Sequence, residues 1–111
     1  MIARQFNDVR LSGVFVRDPE LKYDANQIPV MLFTLVNEYT IGYGETQKTI
    51  KSYLDCFARS GVAQYIAETY HKGDEILVTG RLQERNWNNA TGPRTGVEVV
   101  VRYTRRLADG K

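Results

Sequence analysis

Residues 60–81 read SGVAQYIAETYHKGDEILVTGR, and a change of period inside this stretch decides the fold. Val62, Ala63, Ile66, Ala67 and Tyr70 recur at spacings of three and four, which puts them on one face of a helix. The helix is expected to end at Lys72-Gly73, a cationic last turn followed by a glycine cap. From Glu75 the apolar residues alternate instead, so residues 75–81 (EILVTGR) read as a strand.

Working outward, three strand-like segments precede the helix. Val9, Leu11, Gly13 and Phe15 alternate with Arg10, Ser12 and Val14, and the run stops at Arg17-Asp18-Pro19-Glu20, where proline presets a turn. Residues 29–39 carry the continuous apolar run expected of a strand buried on both faces. TIGYGETQ (40–47) reads as a flexible connection or hairpin tip. In residues 48–58, Ile50, Ser52, Leu54, Cys56 and Ala58 form a core face, and Lys51, Tyr53, Asp55 and Phe57 the opposite one. After residue 81 comes a polar stretch around Trp87, then NNATGPRTG (88–96), dense in turn formers, then a last strand at 97–103.

Three strands, a helix and two strands is the chain order of the OB-fold, an all-β, five-stranded Greek-key barrel with one helix between the third and fourth strands. A short β-sandwich with one inserted helix has the same order. Residues 1–107 are expected to make this single domain, and 108–111 a short C-terminal end.

Composition excludes more than it assigns. A chain of 111 residues with 42% hydrophobic and 25% charged residues is ordinary for one globular domain and wrong for disorder. Its single cysteine cannot form an internal disulfide. The N-terminal MIARQFNDVR has charges where a signal peptide needs an apolar core, and no apolar run approaches the ~20 residues of a membrane span, so a soluble cytoplasmic protein is expected. One histidine, His71, and one cysteine, Cys56, cannot make a zinc site of the usual kind. His71 suits the C-terminal end of a helix, and Cys56 the core. Walker, GxGxxG and GxSxG motifs are absent from the sequence. No catalytic residues, metal or cofactor are expected, and the chain does not read as an enzyme.

The cations are unevenly placed. The whole chain carries +2, but residues 76–107 hold six arginines (81, 85, 94, 102, 105 and 106) against Glu84 and Glu98, a local net of +4. Arginine pairs phosphates bidentately and stacks on bases, which lysine does not. Tyr39, Tyr43, Tyr53, Phe57, Trp87 and Tyr103 are interleaved with charge, and a basic groove with rings is what sequence-tolerant binding of single strands needs. Trp87 is the only tryptophan and sits in GRLQERNWNN (80–89) with scarcely an apolar neighbour. Either its ring folds back onto the body or it is held out for a partner.

Several stretches in order make the chain resemble the bacterial and phage single-stranded DNA-binding proteins over nearly its whole length. They are N-x-V-x-L-x-G at 7–13, R-D-P-E-L-K-Y at 17–23, F-T-L at 33–35, Y-L-D-C-x-A at 53–58, K-G-D at 72–74, G-R-L-x-x-R-x-W at 80–87 and E-V-V-V at 98–101, with Ala63 in the helix. The resemblance implies an OB barrel that binds single-stranded DNA in replication, recombination and repair, associated with the nucleoid and usually homotetrameric. It implies DNA contacts at Trp87, Arg85, Tyr53, Lys72 and Arg4. Arg59 stands where many relatives carry a stacking aromatic, so a stack there would be guanidinium on base. Arg81 and Lys51 join the set as cations on the same strands. The second-strand aromatic has two counterparts, Tyr39 and Tyr43, and Leu54 replaces a polar residue at a subunit contact of some relatives. Many relatives continue into a Gly/Pro/Gln-rich linker and an acidic tail that recruits repair enzymes. This sequence ends RRLADGK, as a shortened, phage, plasmid or primosomal relative would. Two functions fit: binding of single-stranded DNA as an oligomer, or an OB module that acts mainly through contacts with replication proteins.

Overall fold

A computed structural model of the chain describes residues 5–110. The strands are β1 (Val9–Phe15), β2 (Lys22–Tyr23), β3 (Pro29–Ile41), β4 (Lys48–Arg59), β5 (Glu75–Asn89) and β6 (Gly92–Ala108), with one helix, α1 (Ser60–Thr69), between β4 and β5. β1 runs antiparallel to β5 from Val9↔Gly80 to Val14↔Glu75, and its end also pairs with β3 at Val14↔Val36 and Phe15↔Leu35. β3 pairs with β4, β4 lies parallel to β6 at Cys56↔Val99, and β6 pairs with β5. The circuit β1-β5-β6-β4-β3-β1 is therefore closed, and the fold is an OB barrel. The two-residue β2, which the sequence pattern does not reveal, pairs with the start of β3.

Period two supplies the core. Phe15, Met31, Phe33, Leu35, Cys56, Ile76, Val78, Val99 and Val101 point into the barrel, and Ala63, Ile66 and Tyr70 from the helix region close one end. Tyr70 stacks on Phe15 at 5.7 Å, and its hydroxyl, buried with it, hydrogen-bonds the Thr104 hydroxyl at 2.9 Å. Burial, then the charges of Asp55 and Glu98, push the Cys56 thiol up to about 12, so this cysteine is core and not a nucleophile.

Four local expectations change. β3 is buried on one face only: Leu32 is 55% exposed between buried Met31 and Phe33. The core face of β4 is limited to its second half, because Ile50 lies exposed where β3 and β4 project past the barrel. α1 ends at Thr69, and Gly73 (φ +90) instead serves the turn into β5, where its N–H donates to the Phe15 carbonyl. β5 and β6 form one long hairpin from Glu75↔Ala108 to Asn89↔Gly92, so most of the expected turn at 88–96 is strand. These arms explain a radius of gyration of 15.9 Å, against about 13 Å for a compact chain of this length.

The base of the barrel is tied by one carboxylate. Asp74, 4% exposed, accepts from the N–H groups of His71 and Gly110, each at 2.8 Å, and from Arg106 Nη1 at 2.9 Å. Burial alone would raise its pKa, but these donors outweigh it and the net shift is downward. A carboxylate with a depressed folded pKa contributes stability that is present above its unfolded value and lost as pH falls through the folded one. Unfolding free energy is therefore expected to decline below about pH 4, and Asp74→Asn to flatten that decline while costing about 1–3 kcal/mol at neutral pH. Urea melts of parent and variant across this range check both effects.

Candidate nucleic-acid interface

In an antiparallel pair, residues directly opposite share a face, so the register assigns each side chain to the inside or outside of the barrel. On β4 the outward residues are Lys51, Tyr53, Asp55, Phe57 and Arg59, opposite Glu38, Val36, Thr34, Leu32 and Val30 of β3. Phe57 is level with Val100 of β6, which faces Arg81 of β5; from there Gln83, Arg85 and Trp87 continue outward. Six of the ten expected contacts, Lys51, Tyr53, Arg59, Arg81, Arg85 and Trp87, thus lie on one continuous outer face.

The centre of this face is an open groove of about 440 Å³. Leu32, Thr34 and Phe57 make its floor, the segment 17–22 with Arg17 and Lys22 one rim, and Arg85 its far end. Arg17, Lys22 and Leu32 were not singled out from the sequence. The signal was present in Leu32, an apolar residue with even phase in a strand whose odd residues suffice for the core.

Trp87 resolves the question its sequence poses by doing both things in part. It lies within β5, opposite Arg94 and diagonal to Gly96, and the residue is 38% exposed. A Cβ on Gly96 would come within 3.1 Å of the ring, so the glycine leaves room for the indole to lie against β6. The Arg85 guanidinium carbon is 4.8 Å from the ring centroid, a cation–π contact that holds the indole in place. Arg85 itself is flanked by Asp55 at 3.6 Å and Glu98 at 3.8 Å. Glu98 is buried, and burial raises its pKa despite the opposing pull of Arg85. Arg85 is therefore not a free cation. Its charge is shared between two carboxylates and a ring.

The remaining expected contacts are placed differently. Arg59 is 59% exposed at its side chain, 4.0 Å from Asp24. Arg81 donates to Gln83 at 2.8 Å and stays exposed. Lys72 is outside this face, but its N–H donates to Asp18 at 2.7 Å, which sets it beside the groove rim. Tyr39 opposes Ile50 on the other side of the β3–β4 arm from Tyr53, and Tyr43, 91% exposed, is at the tip of that arm. Leu54 opposes Leu35 on the inward face and is half-buried. Arg4 lies outside the described residues. Among the described residues no group of three His, Cys, Asp or Glu side chains could hold a metal ion, and no helix is long and apolar enough to cross a membrane.

Comparison with known proteins adds four findings. Residues 6–107 match the family described as "Single-strand binding protein family". A single-stranded DNA-binding protein of Streptococcus pyogenes serotype M3 is 35% identical over 95 residues, covering 86% of this chain and 58% of that protein. One from Caldanaerobacter subterraneus subsp. tengcongensis is 30% identical over 106 residues, covering 95% of this chain and 69% of its own length. The chain thus spans little more than half the length of the streptococcal relative. In three dimensions it is similar to a Plasmodium falciparum SSB solved in complex with ssDNA, with a TM-score of 0.82 at 20% identity over 96% of this chain and 99% of the other.

Proposed function

The chain belongs to the single-strand binding protein family, and from that premise we propose that it binds single-stranded DNA on the outer face of β4, β5 and β6 in replication, recombination and repair. One observation carries the reading. Three rings (Tyr53, Phe57 and Trp87) and three arginines (Arg59, Arg81 and Arg85) share that face beside an open groove. Rings stack unpaired bases of any identity, and cations follow the phosphates, so the arrangement suits a strand without sequence preference. Arg59, exposed at the end of β4 and 4.0 Å from Asp24, takes the place of an aromatic by stacking or phosphate pairing. The test is competition: a labelled thymidine oligonucleotide is challenged with unlabelled single strand and with duplex of the same length. Displacement by the single strand alone is expected. Equal displacement by duplex would refute the reading.

Asp55 and Glu98 compete with phosphate for Arg85, and this gives a signed prediction. Asp55→Asn is expected to tighten binding and to steepen the log–log salt dependence by up to about 0.7, the value of one added phosphate contact on a single strand. Affinity and slope measured by fluorescence anisotropy at several salt concentrations check it.

The same reading makes the free protein a homo-oligomer, a tetramer before a dimer. Leu82 and Val97 are 46% and 60% exposed on the opposite side of the β5–β6 ribbon from Trp87, and β1 pairs with β3 only at its last two residues. An apolar patch and an open edge are what closed symmetry covers. Sedimentation at micromolar concentration is expected to give a multiple of the 12.7 kDa chain mass.

A further inference from the structure

β6 changes the direction of its side chains halfway along. Val99 and Val101 point into the barrel, 3% and 5% exposed, and strict alternation would send Tyr103 inward as well. The ladder shifts instead: Gly80 pairs with Val101 but Thr79 with Tyr103, leaving Arg102 as an extra residue in a bulge. Beyond it Thr104 is the buried residue, and Tyr103 and Arg105 turn outward. β5 keeps its phase throughout, so Trp87, Arg85, Arg81, Thr79 and Leu77 all face out. The bulge thereby continues the outer face past the groove described above, over about 33 Å of strand.

Where this continuation meets the start of α1 there is a second groove, of about 460 Å³, lined by Gly61, Val62, Tyr65 and residues 102–106. Tyr65 and Tyr103 are 53% and 58% exposed. Arg106 is occupied by Asp74 and Asp109, but Arg102 and Arg105 make no ion pair among the described residues, and no carboxylate lines the groove. The parallel pair Phe57↔Val100 lies two residues before Arg59 on β4 and two before Arg102 on β6, so the second groove begins just past the end of the face that carries the first.

We propose that this second groove is a further subsite for the polynucleotide, with a base stacked on Tyr103 and phosphates held by Arg102 and Arg105. It rests on the single-stranded DNA reading and extends it: the bulge at Arg102 lengthens the strand that one barrel engages. Unpaired arginines between exposed rings, continuous with a face of the same composition, favour nucleic acid over an acidic peptide, which would need the cations but not the stacking surface.

The test compares two thymidine oligonucleotides, one long enough only for the first groove and one able to reach both, on the parent chain, Tyr103→Ala, Tyr103→Phe and the double variant Arg102→Ala/Arg105→Ala. All three positions are exposed, and unchanged unfolding midpoints verify the fold. Affinity for the short oligonucleotide is expected to stay within about twofold. Affinity for the long one is expected to fall about 5- to 100-fold in Tyr103→Ala and to be retained in Tyr103→Phe, which keeps a stacking ring. The double variant is expected to flatten the salt slope on the long oligonucleotide by up to about 1.4, two phosphates' worth. Parental affinity and slope in the variants would overturn the subsite while leaving the first groove standing, as would a glutamate-rich peptide that binds the parent and not the variants with DNA binding unaltered. A parent that binds neither oligonucleotide would remove the DNA reading, and this subsite with it.

Discussion

Gly80→Ala is expected to cost more than about 3 kcal/mol, a large share of the 5–15 kcal/mol that holds a domain of this size folded. Gly80 sits at the β5–β6 bulge with β1 on its other side. A Cβ there would be 2.0 Å from the Val100 carbonyl oxygen and 2.9 Å from its carbon. Both are backbone atoms held in a ladder, so no side chain can swing away to make room. The strands would have to separate where barrel and bulge depend on their contact. Gly61→Ala provides the contrast, since nothing lies within 4 Å of a Cβ at that position in α1. There the added methyl is expected to be neutral or to stabilise by up to about 1 kcal/mol, because alanine is the better helix former. Denaturant melts of both variants make the comparison, and similar midpoints would show that the close approach at Gly80 is not needed.

Trp87→Ala is expected to weaken binding of single-stranded DNA by about 1–3 kcal/mol while leaving the domain folded. The ring lies outside the barrel core, on the projecting half of the β5–β6 hairpin, and contributes little to barrel packing. Its loss removes one stacking surface and the cation–π contact to Arg85, which stays paired with Asp55 and Glu98, so the salt slope is expected to change little. Unchanged affinity in a folded variant would return Trp87 to a role in supporting the hairpin.

The barrel was legible because it is written in short-range patterns. Period two in β1 and β4 and the switch to three-and-four spacing at 62–70 need only near neighbours to read. Where the chain leaves the barrel the patterns fail for physical reasons. The outer halves of β5 and β6 face water on both sides, so Gln83, Glu84, Asn86 and Asn88 show no apolar alternation, and the turn formers of 88–96 mimic a loop. The apolar run of β3 suggested burial on both faces because Leu32, on the floor of the groove, is as apolar as Phe33 in the core. Alternation also misplaces Tyr103, since a one-residue bulge opposite Gly80 reverses the side chains from Tyr103 to Arg106. The rings and arginines singled out along β4 and β5 fall on one outer face, as alternation within each strand implies. Their pairing was not legible in the sequence. Asp55 and Glu98 reach Arg85 from β4 and β6, and only the closed sheet brings those strands together.

The outer face of β4 and β5 is proposed to hold a single strand by stacking on Trp87 and pairing with phosphates. Because Trp87 is the only tryptophan, its fluorescence reports that face alone, and titration with oligo(dT) at two salt concentrations tests both halves of the claim together. Quenching of Trp87 emission is expected, with an affinity that weakens with salt at a log–log slope of about −0.7 for each phosphate engaged. Binding without quenching, or quenching with no dependence on salt, would contradict it.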